Sequence, residues 1–216
     1  FSGDLPPRDQ PLPKALDDTD AAKFLRAAQT QPRLLCRVVA EMLLRTGLRV
    51  SELCDLDRDA IRTGIDGRWL HVPVGKLHND RYLPLHPTLI DLINTYRSRH
   101  VDAANPLLLP NEHGHPLNRH AVTRMLNRIA RDAGIGHVHP HQLRHTLATQ
   151  AINRGMSMEA IAALLGHRSL DMTRRYARIA DHTVADAYFQ VAEKVDALYD
   201  PDPAPVPITE LHREMS

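Results

Sequence analysis

The sequence feature that most constrains the fold is a run of apolar residues at helical spacing that ends at a glycine. From Leu34 to Leu43 the apolar side chains recur at steps of three and four residues. This spacing places them on one face of an α-helix. Gly47 follows and can end the helix in the left-handed conformation that glycine adopts without strain. The sequence therefore predicts a helix with a buried face.

Similar spacing predicts further helices along the chain. Asp17 to Asp20 can cap a helix that continues to about Thr30, and Asn118 can cap another that continues to about Asp132. The other predicted helices cover about 50–53, 87–99, 141–153, 157–165, 170–178 and 182–199. The chain is therefore expected to be mainly helical.

Between about Ala60 and His86 the pattern changes to short runs that are typical of strands. These runs cover 61–63, 68–74 and 81–85, and prolines within them indicate strand ends or edge positions. Asp66-Gly67 is a dipeptide typical of hairpin turns, and residues 75–80 form the second loop. The predicted fold class is mainly α with a small antiparallel β-sheet (α+β).

Composition sets only loose limits on function. The chain has 216 residues with 43% hydrophobic and 25% charged residues, which is ordinary for a globular protein. A formal net charge of +1 neither requires nor excludes a nucleic acid partner. No apolar run approaches the about 18 residues that a membrane span needs. Cys36 and Cys54 are interpreted as buried free thiols of a cytoplasmic protein.

The stretch that points to chemistry lies between residues 139 and 176. On a helix His141, Arg144 and His145 fall at positions i, i+3 and i+4 and share one face. Tyr176 follows among arginines. A reacting phosphodiester needs charge neutralisation, a group that moves protons and a nucleophile. Guanidinium, imidazole and phenol groups supply these three functions.

Four motifs resemble, in order and spacing, those of the catalytic domain of tyrosine recombinases, the phage integrase family. They are Thr46-Gly47-Leu48-Arg49-Val50-Ser51-Glu52-Leu53, then Gly75-Lys76 before Arg81-Tyr82-Leu83-Pro84-Leu85, then His141-Gln142-Leu143-Arg144-His145, and finally Leu165-Gly166-His167 with Tyr176 nine residues later. The resemblance extends from about Leu12 to Ala197. Leu77 stands where the family often has glycine, which affects only the turn geometry of the hairpin.

The resemblance implies a role for each residue of these motifs. The implied catalytic residues are Arg49, Lys76, His141, Arg144, His167 and Tyr176. Tyr176 would be the nucleophile, and Lys76 the general acid that protonates the leaving 5′-oxygen. The two arginines would clamp the phosphate, while the two histidines would hydrogen-bond it and manage the nucleophile's proton. Glu52 and His145 would support this group, with Glu52 holding the active-site arginine in place.

Each residue also has a plainer interpretation. Arg49 beside Glu52 could be a structural ion pair, a loop lysine is commonly a surface residue, and a helical tyrosine usually packs in the core. Arg124, Arg128 and Arg131 form either a solvated helix face or a ridge that follows DNA phosphates. We assign DNA contacts to these three and to Arg168, Arg174 and Arg175.

The histidine cluster also invites a metal interpretation, which we reject. His141 and His145 have the helical spacing of zinc hydrolases, but Gln142 replaces the glutamate that such enzymes use as base. The positive charge of Arg144 would also repel a divalent cation. We predict no metal and no other cofactor, because the phosphotyrosyl bond implied by the resemblance conserves the energy of the phosphodiester.

The function implied by the resemblance is site-specific DNA strand exchange through a 3′-phosphotyrosine intermediate. Its expected partners are double-stranded DNA and three further copies of the chain in a DNA-bound tetramer, with no membrane and no small-molecule substrate. A type IB topoisomerase and a DNA-binding module without catalysis are the alternatives.

The predicted domain organisation follows composition and motifs together. Residues 1–15, with four prolines, are expected to be the remnant of an interdomain linker, since the chain begins without methionine. The predicted catalytic domain covers 16–180. A C-terminal helix at 181–199 and a flexible tail at 200–216 complete the prediction. The family resemblance implies that this C-terminal segment docks on a neighbouring protomer of the tetramer.

Overall fold

The computed structural model describes residues 15–64, 67–73, 80–166, 188, 189, 191–193 and 195. The elements in these ranges are α1 (Asp18–Gln29), α2 (Leu34–Thr46), α3 (Val50–Cys54), β1 (Ile61–Gly64), β2 (Gly67–Val72), β3 (Arg81–Pro84), α4 (Pro87–His100), α5 (Arg119–Asp132), α6 (Pro140–Asn153) and α7 (Met158–Leu165). The predicted fold class is confirmed. The predicted helix at 170–178 lies outside the described residues.

The helix termini follow the chemistry predicted from the sequence. The Asp17 side chain accepts a hydrogen bond from the Asp20 backbone N–H at 2.7 Å, and Asn118 accepts one from the Ala121 N–H at 2.8 Å. These bonds satisfy donors that the first turn of a helix leaves unpaired. Gly47 caps α2 in the left-handed conformation with φ of 63°.

Helix α2 is the centre of the fold. It packs against α1, α3, α4, α5 and α6, and its side chains are buried on nearly every side. The core around it includes Phe24, Met42, Leu43 and Leu126, all buried completely. Because α2 is enclosed by other helices, its C-terminal end is held in a fixed position within the molecule.

The three strands form one antiparallel sheet in the order β1, β2, β3. Leu70 pairs with Leu83 and faces the core, while His71 pairs with Tyr82 on the outer face. Strand β2 ends at Val72, two residues before the predicted end, and β3 ends at Pro84, one residue early. Proline lacks the backbone N–H that would continue a ladder, which accounts for the end of β2 before Pro73. Beyond β3, the Leu85 backbone N–H still donates to the Arg68 carbonyl at 2.9 Å.

The described residues of the C-terminal segment pack on the body of the chain. Tyr188 and Val191 are buried beside Leu25, Leu44 and Leu147 of α1, α2 and α6. The Tyr188 hydroxyl donates a hydrogen bond to the Arg45 carbonyl at 3.1 Å. These described residues therefore occupy an apolar groove of their own chain.

Two further expectations from the sequence concern the cysteines and membrane-spanning helices. Cys36 and Cys54 are buried free thiols, as predicted. Within the described ranges, no helix is both long enough and apolar enough to span a bilayer.

Candidate active site

Four elements meet where α2 ends, and each brings one charged side chain to that point. The α2 to α3 turn carries Arg49, α3 carries Glu52, β3 begins with Arg81, and α6 carries Arg144. The C-terminal end of α7 closes the group through its contacts with β3 and α6. Residues separated by almost a hundred positions along the chain thus form one cationic cluster.

Arg144 is the most deeply buried arginine of the cluster. Only 2% of the residue is exposed, and its guanidinium donates to the Gly47 carbonyl at 2.7 Å and to the Leu165 carbonyl at 2.5 Å. These carbonyls lie at the ends of α2 and α7, where helix carbonyls lack partners and carry partial negative charge. Arg144 therefore joins two helix ends and also contributes its charge to the site.

The electrostatic environment of Arg144 favours a nearby anion. Burial, followed by the positive charges of Arg49 and Arg81, lowers its pKa to about 10, while Glu52 acts in the opposite direction. The group stays charged at neutral pH. A phosphate bound beside it would offset the repulsion among the three guanidiniums.

Glu52 is the carboxylate that organises the cluster. Each of its oxygens accepts two hydrogen bonds, which saturates the group. Oε1 accepts from Arg49 Nη1 at 2.8 Å and from Arg81 Nη1 at 2.9 Å. Oε2 accepts from the Arg49 backbone N–H and from Arg81 Nη2, both at 2.7 Å. Burial alone would raise the pKa of Glu52, but the hydrogen bonds and charge of Arg81, with the bonds from Arg49, lower it.

Arg49 is the member of the cluster that reaches solvent. It precedes α3 as the N-cap residue, and 41% of its side chain is exposed. Only Nη1 of its guanidinium bonds to Glu52. The other guanidinium nitrogens make no hydrogen bond within the described part of the chain, so they are available to an incoming ligand.

The two histidines of α6 lie beside the guanidiniums. The rings of His141 and His145 meet edge to face, with centroids 4.5 Å apart. Burial, followed by the charges of His145, Arg144 and Arg49, lowers the pKa of His141. A lowered pKa leaves the imidazole neutral at pH 7 and able to accept a proton.

Arg81 is the functional candidate that the sequence patterns do not single out. They include it in the strand that follows Gly75-Lys76 and give it no role there, whereas the structure buries it in the cluster. One signal is nevertheless present in the sequence. Alternation along β3 places Arg81 on the same face as Leu83, and a charged residue on a core-facing position requires a buried partner.

Several predicted site residues lie outside the part of the chain that the structure describes. They are Lys76, His167, Arg168, Arg174, Arg175 and Tyr176. Their roles remain predictions.

The arginines assigned to DNA on α5 are exposed. Arg124, Arg128 and Arg131 lie on the side of the helix away from the buried Val122, Leu126 and Ile129. Exposure fits both the solvated face and the phosphate-binding ridge, so the choice between them stays open.

The histidines near α6 show no metal-binding arrangement in the described ranges. His137 pairs through Nδ1 with the Asn127 side-chain oxygen at 3.2 Å. No group of three or more potential ligand residues converges among the residues that the structure covers.

Comparison with known proteins assigns the family. The family model described as "Phage integrase family" matches residues 14–183. The chain belongs to the phage integrase family. Tyrosine recombinase XerA of Pyrococcus furiosus is 34% identical over 178 residues, covering 82% of this chain and 61% of the relative. Tyrosine recombinase XerC of Bacillus pumilus is 30% identical over 195 residues, covering 85% and 63%.

A solved recombinase structure shares the fold of this chain. The crystal structure of XerA recombinase matches with a TM-score of 0.61 and 26% sequence identity, over 82% of this chain and 65% of that chain. The chain thus spans less than two thirds of the length of each of these relatives.

Proposed function

We propose that this phage integrase family chain is the catalytic domain, residues 16–180, of a site-specific DNA recombinase. The observation that carries the proposal is the cluster of Arg49, Arg81 and Arg144 around the single carboxylate of Glu52. Three guanidiniums and one carboxylate leave two positive charges in excess. Such an excess beside the half-exposed Arg49 suits an anionic substrate with charge-assisted hydrogen-bond acceptors.

A DNA phosphodiester matches this cluster chemically. Its non-bridging oxygens carry the negative charge, and that charge grows when the phosphorus becomes five-coordinate during attack. Donors that are already fixed in place stabilise the growing charge without having to reorganise. The free nitrogens of Arg49 would contact one oxygen directly, and the charge of Arg144 would act from beneath.

The remaining groups supply the chemistry in this proposal. The Tyr176 oxygen attacks the phosphorus, and the bond from phosphorus to the 5′-oxygen breaks. The phenol, with an ordinary pKa of about 10, passes its proton to an imidazole, for which the neutral His141 is suited. His167 would hydrogen-bond the phosphate, and Lys76 would protonate the departing 5′-oxygen. A 5′-hydroxyl from the same or a partner duplex reverses the step and releases the tyrosine.

The proposed partners are double-stranded DNA and other copies of the chain. The exposed arginines of α5 would follow the phosphate backbone. In the proposed tetramer the C-terminal helix predicted at residues 181–199, whose described residues Tyr188 and Val191 lie in the groove of their own chain, would instead enter that groove of a neighbour. Head-to-tail exchange of this kind can close a ring.

A covalent-trapping assay tests the proposed function. The substrate is a duplex carrying the recombination site with a nick near the scissile phosphate, so that the released fragment diffuses away and the adduct persists. The full chain should give an adduct that survives denaturing electrophoresis. Tyr176→Phe should bind the duplex but give none. An adduct at the wild-type level in Tyr176→Phe, or no adduct with the wild-type protein on its own site, would overturn the proposal.

A further inference from the structure

We propose that Arg81 is a positioning residue of the active site, which directs Arg49 through their shared carboxylate and supports the chain at Gly166, immediately before His167. This inference rests on the proposed function. It assigns to the first residue of β3 a role that is distinct from charge neutralisation and that acts through Glu52.

The contact between Arg81 and Glu52 has the geometry of a two-pronged clamp. Nη1 and Nη2 of Arg81 each bond one carboxylate oxygen, at 2.9 and 2.7 Å. Two parallel bonds fix the orientation of the carboxylate as well as its position. A lysine at this site could make a point contact but could not set the plane of the carboxylate.

The clamp determines how Arg49 can bind. Because Arg81 takes one acceptor direction on each oxygen, Arg49 bonds the carboxylate through Nη1 and its own backbone N–H only. Without Arg81, both carboxylate oxygens would be open to the Arg49 guanidinium. A two-pronged pair between Arg49 and Glu52 would then occupy guanidinium donors that now have no partner among the described residues. Arg81 thus keeps Arg49 available for the phosphate.

The second contact of Arg81 is with the end of α7. Gly166 has φ of 65°, and a Cβ added there would lie 2.5 Å from Arg81 Nη1 and 3.1 Å from Arg81 Cδ. The arginine side chain therefore lies directly against the bare Cα of Gly166. On the preceding residue, the Leu165 carbonyl accepts its bond from Arg144. Two arginines thus hold the residues that precede His167 in the sequence.

Burying the charged guanidinium of Arg81 carries a desolvation cost that an apolar side chain in a purely structural role would avoid. Only 7% of the residue is exposed, and its Nε has no hydrogen-bond partner among the described residues. A buried ion pair of this kind can often be replaced by apolar residues without loss of stability. A role in positioning explains why a charged fork with an unpaired donor occupies a site that an apolar side chain could fill.

The test uses Arg81→Lys with Arg154→Lys as a matched control. Arg154 is also largely buried and also pairs with a carboxylate, that of Asp18 at 3.2 Å. Among the residues that the structure describes, its contacts with Asp18 and the Gln150 carbonyl lie outside the cluster. The measurement is the rate of adduct formation on the nicked duplex at saturating DNA, with duplex affinity and thermal unfolding measured in parallel. Saturating DNA separates a defect in chemistry from a defect in binding.

Arg81→Lys should lower the rate at saturating DNA by about 10- to 100-fold, as expected for a small misplacement of a reacting group. Its duplex affinity and that of Arg154→Lys should stay within about twofold of wild type, and Arg154→Lys should also keep its rate. A wild-type rate in folded Arg81→Lys would overturn the positioning role while leaving the proposed function intact, since wild type still forms the adduct. A wild type without adduct would instead refute the proposed function.

A second variant covers the case in which the lysine does not fold. Arg81→Gln places a neutral donor beside Glu52 and leaves no unpaired buried cation. It should fold at low temperature and show the same loss of rate, or a larger one. If neither variant folds at any temperature, or if Arg81→Gln forms the adduct at the wild-type rate, Arg81 is a structural ion-pair partner and the inference is wrong.

Discussion

At the residue scale, the site depends on one carboxylate that serves two arginines. Glu52 combines burial, four hydrogen bonds and two ion pairs, and these fix both its charge and its direction. The plainer interpretation of Arg49 as a structural ion pair describes one part of its environment, because Arg49 does pair with Glu52. The same pairing leaves most of its guanidinium free, so structure and function are compatible in this residue.

Glu52→Gln should reveal the stabilising charge through its pH dependence. The pKa of Glu52 is lowered in the folded state, so its stabilising contribution is present above the unfolded value of about 4.3 and is lost as pH falls through the folded pKa. The variant should lower the free energy of unfolding at pH 7 by about 1–3 kcal/mol, since the glutamine NH₂ would face guanidinium donors. Denaturant unfolding measured across acidic and neutral pH should show the difference shrinking in acid. A difference in the free energy of unfolding that is equal at every pH would contradict this. Glu159→Gln, at an exposed position, serves as the control.

His145→Gln should raise the pKa of His141. Burial lowers this pKa most, but the charge of His145 is the next contribution, and the substitution removes it. The imidazole C–H resonance of His141, followed by NMR as a function of pH, should titrate at higher pH in the variant than in wild type. His113→Gln, at an exposed position in another loop, should leave the titration unchanged. A His141 pKa that stays constant or falls in His145→Gln would show that the two rings do not interact electrostatically.

At the scale of elements, the end of α2 is where local sequence signals and tertiary packing coincide. Periodicity predicts this helix and glycine predicts its end, because both are properties of a short segment. Neither indicates that α2 is enclosed by five other helices, since enclosure depends on partners that are distant in sequence. The Gly47 carbonyl then acts as an acceptor for Arg144, which links the helix end to the candidate site.

Gly47→Ala should destabilise the protein more than Gly134→Ala. Both glycines have positive φ, 63° and 66°, and share the conformational cost of about 1–2 kcal/mol for a residue with a side chain. A Cβ at Gly47 would lie 2.7 Å from Leu165 Cδ2 and 3.0 Å from Leu147 Cδ2, whereas nothing lies within 4 Å of one at Gly134. The extra crowding should add about 1–3 kcal/mol to the loss in free energy of unfolding. Equal losses in denaturant unfolding would show that the helix ends do not pack as described.

The difference between Arg49 and Arg81 shows which site residues a single sequence can identify. Arg49, Glu52 and Arg144 lie in motifs whose spacing resembles a family, so the sequence alone is enough to name them. Arg81 lies in the strand that follows Gly75-Lys76 in the second motif, where the resemblance implies no role for it, and its proposed role depends on a carboxylate 29 positions earlier in the chain. Long-range ion pairs of this kind leave little trace in a single sequence. The end of β2 differs from the prediction for a local reason, because Pro73 has no backbone N–H to continue the ladder.

At the scale of the whole molecule, the central question is which chain receives the C-terminal segment. The described residues Tyr188 and Val191 occupy the groove of their own chain, beside Leu25, Leu44 and Leu147. The same apolar surface would receive the segment from a neighbour in the proposed tetramer. The same groove can accept the C-terminal segment of its own chain or that of a neighbour. Binding to DNA would favour the neighbour's segment by holding protomers side by side.

Deletion of residues 182–216 should affect both stability and assembly. It would leave the groove uncovered, so an apolar dye should bind more strongly and the melting temperature should fall. On DNA carrying the recombination site, light scattering should show smaller complexes than with the undeleted chain. The double substitution Arg124→Gln and Arg128→Gln serves as a comparison, because it should weaken DNA binding without exposing the groove. Complexes of unchanged size after the deletion would contradict exchange of the segment.

The most direct measurement of the proposed mechanism is to identify the residue that carries DNA in the trapped adduct. The adduct is formed on the nicked duplex, digested with protease and nuclease, and sequenced by mass spectrometry. The mechanism predicts a nucleotide 3′-phosphate on Tyr176, lost when Arg49 is replaced by alanine. A DNA adduct on another residue, such as the exposed Tyr82, or an undiminished Tyr176 adduct in Arg49→Ala, would contradict it.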